Sequence, residues 1–97
     1  MKTIWKFPFE IKDHVEIEMP KGAKPLCVKT QGDSLANLIY RRSCLWCLVD
    51  PDNPKVTRSF ELRGTGHTFD GSEGDYIGTL HMAEDQLVYH LFTSKEE

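Results

Sequence analysis

The run Cys44, Leu45, Trp46, Cys47, Leu48 and Val49, closed by Asp50 and Pro51, constrains this chain more than any other stretch. It is apolar at every position and too short for a stable helix, so it reads as a buried strand. A strand with two apolar faces needs cover on both, which sets it in the middle of a small β-rich core with strands or layers on each side. On that reading Trp46 belongs to the core, and truncating it to alanine should cost about 3–5 kcal/mol.

Trp5, Phe7, Phe9 and Ile11 alternate with Lys6, Pro8, Glu10 and Lys12, the period-two pattern of a half-buried strand. Pro8 lacks an amide donor and so puts that strand at a sheet edge. Val15, Ile17 and Met19 repeat the pattern against His14, Glu16 and Glu18, and the first two strands are expected to form a hairpin. Residues 20–25 have the composition of a turn, and residues 26–31 that of a third strand. Residues 57–63, 76–82 and 87–93 read as further strands. Turn formers at 50–54, a glycine-punctuated loop through 64–74 and a tight connection at 83–85 separate them.

Residues 32–43 allow two readings. One is a short helix capped by Asp33 or Ser34, with Leu35, Leu38 and Ile39 on one face and Arg41 and Arg42 at its negative end. The other is an irregular hairpin arm running straight into Cys44. About seven short strands and at most one short helix predict a mainly β domain over residues 1–97, an antiparallel sandwich or partly open barrel, with 94–97 as a frayed tail.

A net charge of −3 argues against bulk coating of nucleic acid, which needs a concentrated basic surface, but leaves room for a local basic patch. No apolar run approaches the roughly 18 residues that span a bilayer, and Met1 to Lys6 lack the apolar core of a signal peptide. The expected location is therefore the cytoplasm of whichever cell makes the protein, without a membrane partner. Three cysteines in such a chain read as reduced thiols rather than as a disulfide framework.

Cys44 and Cys47 match half of a zinc site in spacing, yet residues three apart on a strand point to opposite faces and cannot converge on one ion. His81 and His90 form the alternative metal pair. If Glu84 and Asp85 make a two-residue turn, His81 faces Val88, Thr79 faces His90, and both imidazoles share a face; a three-residue turn separates them. Arg63, Thr65 and His67 bring a cation, a hydroxyl and an imidazole to a glycine-rich loop followed by Asp70 and Asp75, a candidate site for a small anionic ligand as well as a plain turn. That loop lacks the glycine spacing, lysine and helix of a nucleotide-binding P-loop.

Leu35, Ile39, Tyr40, Arg41 and Arg42 combine apolar area with guanidinium groups and form a candidate protein interface, with a helical lid over the sheet as the alternative. An aromatic platform for single-stranded nucleic acid requires exposed rings interleaved with basic residues. Lys6 and Lys12 flank the first aromatic strand, but Glu10, Glu16 and Glu18 sit beside them in sequence. Neither a nucleophile elbow, a paired-carboxylate signature nor a cofactor motif is present, so neither an enzyme nor a cofactor is expected.

The segments Met1-Lys2-Thr3-Ile4-Trp5-Lys6-Phe7-Pro8, Met19-Pro20-Lys21-Gly22-Ala23-Lys24, Leu48-Val49-Asp50-Pro51 and Gly64-Thr65-Gly66-His67 resemble a family of small uncharacterised proteins of phages and bacterial genomes. The resemblance implies a phage or mobile-element setting and carries over no catalytic residue. The expectation is a non-enzymatic phage or prophage accessory protein that acts by binding an unknown host or phage protein or a small anionic ligand. The alternatives are a sponge for a small nucleotide, a small metal-dependent enzyme or zinc protein, and a structural virion component. A homo-oligomer is compatible with each.

Overall fold

The computed structural model describes residues 1–32, 41–82 and 86–95. Seven strands run in the order β1 (Thr3–Phe9), β2 (His14–Pro20), β3 (Lys24–Gly32), β4 (Arg41–Val49), β5 (Lys55–Gly64), β6 (Glu73–Met82) and β7 (Leu87–Ser94), and no described residue is helical. They form two antiparallel sheets, β1-β4-β3 and β2-β5-β7-β6, stacked as a flat sandwich of 38 × 38 × 16 Å. The predicted antiparallel sandwich is therefore the observed architecture. The sheets do not close into a barrel.

Period-two patterning decides which side chains line the core. Val28, Leu45, Cys47 and Val49 from the three-stranded sheet meet Val15, Ile17, Met19, Phe60, Leu62, Leu80 and Leu91 from the four-stranded one, with Phe7, Phe9 and Ile11 packed at the margin. β4 is central in its sheet and β1 lies at an edge, as the apolar run and Pro8 predict.

Three expectations are corrected. β1 and β2 do not form a hairpin: β1 pairs with β4, from Thr3 opposite Val49 to Phe9 opposite Ser43, and β2 pairs with β5. The chain crosses between the sheets at residues 10–13, which lets the apolar faces of both strands meet the same core from opposite sides. The Asp13 carbonyl anchors the crossing by accepting from the Leu62 amide at 2.9 Å and from Arg63 Nη1 at 2.8 Å.

β4, secondly, is enclosed on one face only. Leu45, Cys47 and Val49 are at most 1% exposed and belong to the core, whereas Trp46 and Leu48 alternate with them, face away and are half-buried. Thirdly, Arg41 and Arg42 open β4 instead of ending a helix, with Gly32 opposite Arg41 and Gln31 opposite Arg42. Residues 33–40, which include Leu35, Leu38, Ile39 and Tyr40, lie outside the described residues, as do the 83–85 connection and residues 96–97.

Candidate binding face

β1, β3 and β4 contain Lys6, Lys24, Lys29, Arg41 and Arg42 and neither aspartate nor glutamate. The chain has 12 lysines and arginines against 15 acidic residues, so all the carboxylates lie outside this sheet. Glu10, just beyond β1, is paired with Lys12 at 3.4 Å, and Asp50, just beyond β4, accepts the Asp52 amide at 3.1 Å.

Register turns this composition into a surface. On the side away from the core, Leu48 lies between Ile4 and Lys24, Trp46 between Lys6 and Cys27, and Cys44 between Pro8 and Lys29, with Arg42 beside Gln31. A bulge between Pro25 and Cys27 sets Leu26 out of the ladder, 43% exposed, and Ile4 is 56% exposed. Lys6 Nζ donates to Gln31 Oε1 at 2.7 Å, reaching across β4. The result is an indole with apolar neighbours inside a frame of lysines and an arginine.

Cys44 is buried beneath this face and Cys47 lies in the core, the opposite-face arrangement that the strand spacing predicts. Burial raises the Cys44 thiol above its usual value against the pull of Lys6 and Arg42, and burial pushes the Cys47 thiol up to about 11. Both stay protonated at neutral pH and are poor nucleophiles.

The outer face of the four-stranded sheet is built differently. Glu61 and Arg63 alternate with the core residues Phe60 and Leu62, so they point outward, yet they are only 4% and 6% exposed. Residues 65–72 fold back over them: Phe69 meets Phe92 edge-on at 5.1 Å, and the Ser72 carbonyl accepts the Lys95 amide at 2.8 Å. Gly71 takes a φ of 93° in this loop, and a Cβ on Gly74 would stand 2.9 Å from the Thr93 carbonyl oxygen.

Arg63 ties the loop to the sheet. Its Nε donates to Glu73 Oε2 at 2.8 Å, Nη1 to the Asp13 and Leu62 carbonyls, and Nη2 reaches Ser72 Oγ at 3.2 Å and Glu61 and Asp70 at 3.4 Å. Glu61 also meets His14 Nδ1 at 2.8 Å. Glu73 accepts the Asp70 and Gly71 amides at 3.1 and 3.0 Å. Every guanidinium nitrogen thus has partners inside the fold.

The other predicted ligand residues are engaged as well. Thr65 Oγ1 lies 2.8 Å from His90 Nε2, and His67 Nδ1 accepts the Gly64 amide at 3.2 Å. Thr79 stands opposite His90 and His81 opposite Val88, so both imidazoles share the outer face, as one of the two predicted registers requires. His90 Nδ1 meets Thr79 Oγ1 at 2.9 Å, which occupies its second nitrogen. Among the described residues no group of three or more potential metal ligands converges.

Sequence reasoning singled out Arg63 and Asp70 but not the buried carboxylates Glu61 and Glu73. The signal was the pair Glu61 and Arg63 alternating with Phe60 and Leu62, followed by Asp70 and Glu73. It also missed the basic face, because the expected β1–β2 hairpin set Glu16 and Glu18 beside Lys6, whereas they lie on the other sheet. A concavity of about 600 Å³ opens between the β1 and β2 margins, but Glu10, Glu16 and Glu18 on its rim give it an acidic character.

The loop cluster predicts acid sensitivity. Hydrogen bonds from the Ser72 hydroxyl and amide, then Arg63, hold the Asp70 carboxyl down at about 2. Burial would raise Glu73, but the Glu73, Asp70 and Gly71 amides and Arg63 outweigh it and hold its carboxyl below the ordinary range. Both folded values lie below the unfolded ones near 4. Their contribution is complete above that range and is lost as pH falls towards about 2. Thermal melts should hold steady from neutral pH to about 5 and fall below it. Asp70→Asn and Glu73→Gln should each flatten the acid limb; an unchanged acid limb in both variants would remove this cluster as its cause.

Fold and surface define a small open β-sandwich with one basic, tryptophan-centred face and one face clasped by a loop. The chain belongs to the family of a domain of unknown function, DUF7352, whose model matches residues 1–97. No curated protein and no solved structure matches it. Among the described residues no helix is long and apolar enough to cross a membrane.

Proposed function

We propose that the protein acts by binding and that its binding surface is the outer face of the β1-β4-β3 sheet, which takes an anionic partner. The observation that supports this reading is the segregation of charge: three adjacent strands carry only cations, on a chain whose net charge is −3. Such a face gathers and orients anions even on an acidic protein, because attraction acts over about a Debye length, roughly 10 Å at 0.1 M salt. Arg42, one of the residues expected to serve an interface, is exposed on this face. Arg63 is committed to the loop clasp, so the sheet face is the better anion surface. A phage or prophage accessory role in the host cytosol is the setting that the sequence resemblance favours.

Ion-exchange behaviour tests the proposal. At pH 7 the protein should be retained on a sulfonate or heparin matrix despite its negative net charge and be released by moderate salt. Reversing Lys24 and Lys29 to glutamate should abolish retention, whereas reversing Lys55, outside this sheet, should leave most of it. Flow-through of the wild-type protein at low salt would defeat the reading.

A further inference from the structure

We propose that the partner of this face is single-stranded nucleic acid, with a base stacked on Trp46 and the neighbouring phosphates held by Lys6, Lys24, Lys29 and Arg42. The proposal rests on the anion-binding reading of the face and adds the chemistry of the ligand. Charge complementarity alone fits any polyanion; the indole at the centre of the cations discriminates among them.

The register sets the spacing. Lys6 lies directly across from Trp46, while Lys24 and Lys29 belong to the cross-strand rows on either side of it. Adjacent strands are about 4.8 Å apart and successive same-face residues about 7 Å apart, so the backbone positions of Lys6, Lys24 and Lys29 stand roughly 5–9 Å from that of Trp46, and Arg42, two rows along β4, about 14 Å. The shorter spacing is of the order of the separation between an unpaired base and the phosphates flanking it. Ile4, Leu26 and Leu48 supply further apolar area for sugars and base faces.

An acidic peptide would use the lysines but has no need of the indole. A duplex hides its base faces in the stack and presents them to no flat sheet. A single strand exposes both features, and stacking on an aromatic ring tolerates any base. The net charge of −3 bears on bulk coating, not on a strip of four cations with neither aspartate nor glutamate on the strands that carry them.

The test is fluorescence anisotropy with labelled oligothymidylate and oligouridylate, against a duplex of equal length, heparin and polyglutamate. The single strands should bind at least tenfold more tightly than the duplex. Four phosphate contacts predict a slope of log affinity on log salt near about −3, at roughly −0.7 per contact. Lys6→Gln with Lys29→Gln should reduce that slope by about 1.4.

Because the indole is only partly exposed, the aromatic contribution is read from two full-sized replacements. Trp46→Phe should keep most of the affinity, and Trp46→Leu, which preserves apolar cover without a π face, should lose roughly 5- to 100-fold. Equal binding of duplex and single strand, or a silent Trp46→Leu, overturns the inference and leaves the anion-binding reading standing. Binding of heparin or polyglutamate without the oligonucleotides does the same. A homodimer that Lys6→Glu dissociates, with no oligonucleotide bound by either form, assigns the face to a second copy and also overturns the inference. Failure to bind any of these polyanions defeats both.

Discussion

Arg63→Met should lower stability by about 3–5 kcal/mol, the typical result of removing one partner from a buried ionic group. The guanidinium is the cation that Glu61 and Glu73 share, and both carboxylates are almost wholly removed from water. Without it two charges stay buried with only amides and His14 to offset them, and the Asp13 carbonyl at the sheet crossing loses a donor. For a domain of this size the melting temperature should fall by at least about 12 °C, read by circular dichroism. Arg63→Lys keeps the charge but loses the planar fork, so it should recover part of the deficit and not all of it. Replacing Glu61, Arg63 and Glu73 together by apolar residues should be less damaging than Arg63→Met alone, since no unpaired charge remains. A single variant that melts within a few degrees of the parent would show that the clasp contributes little.

Phe60→Ala should be comparably severe, at about 3–5 kcal/mol, because its ring is fully buried where the two sheets meet. Trp46→Ala is the informative contrast. The sequence places Trp46 in the core and assigns it a loss of that size, but the indole lies on the outer face and is half-buried. Its truncation should cost less than that of the fully enclosed Phe60. Urea denaturation of the two variants side by side checks the ranking, and equal losses would mean that the outer face of β4 is sealed in solution.

The strands were legible from their side-chain patterns: Val15 to Met19 became a strand with the expected inward set, Phe7, Phe9 and Ile11 pack on the core while Trp5 stays exposed, and the run at Cys44 became a strand with one inward face instead of two. What a pattern cannot encode is the neighbour. Val15, Ile17 and Met19 would suit a partner in either sheet, and only the three-dimensional crossing at residues 10–13 assigns β2 to β5. The same gap hid both surfaces. Trp46 and Leu48 are apolar on a face that lies outside the core, so their hydrophobicity imitated burial. Arg63 looked like a free cation in a glycine loop because its partners Glu61 and Glu73 flank that loop on either side in sequence. The β6–β7 register stayed open between two turn lengths in the sequence, and the pairing of Thr79 with His90 and His81 with Val88 selects the one that sets both imidazoles on one face.

The crossing between sheets also orders events in time. Only β3 with β4 and β6 with β7 join neighbours in sequence, whereas Thr3 must wait for Val49 and His14 for Glu61. A ribosome adding about 5–20 residues per second leaves β1 without its partner for several seconds after it is made. During that interval Trp5, Phe7 and Phe9 are apolar side chains on a segment whose partner strand does not yet exist. Pro8, which breaks the donor row of that strand, therefore guards the nascent chain against the wrong neighbour before it marks the edge of the finished sheet.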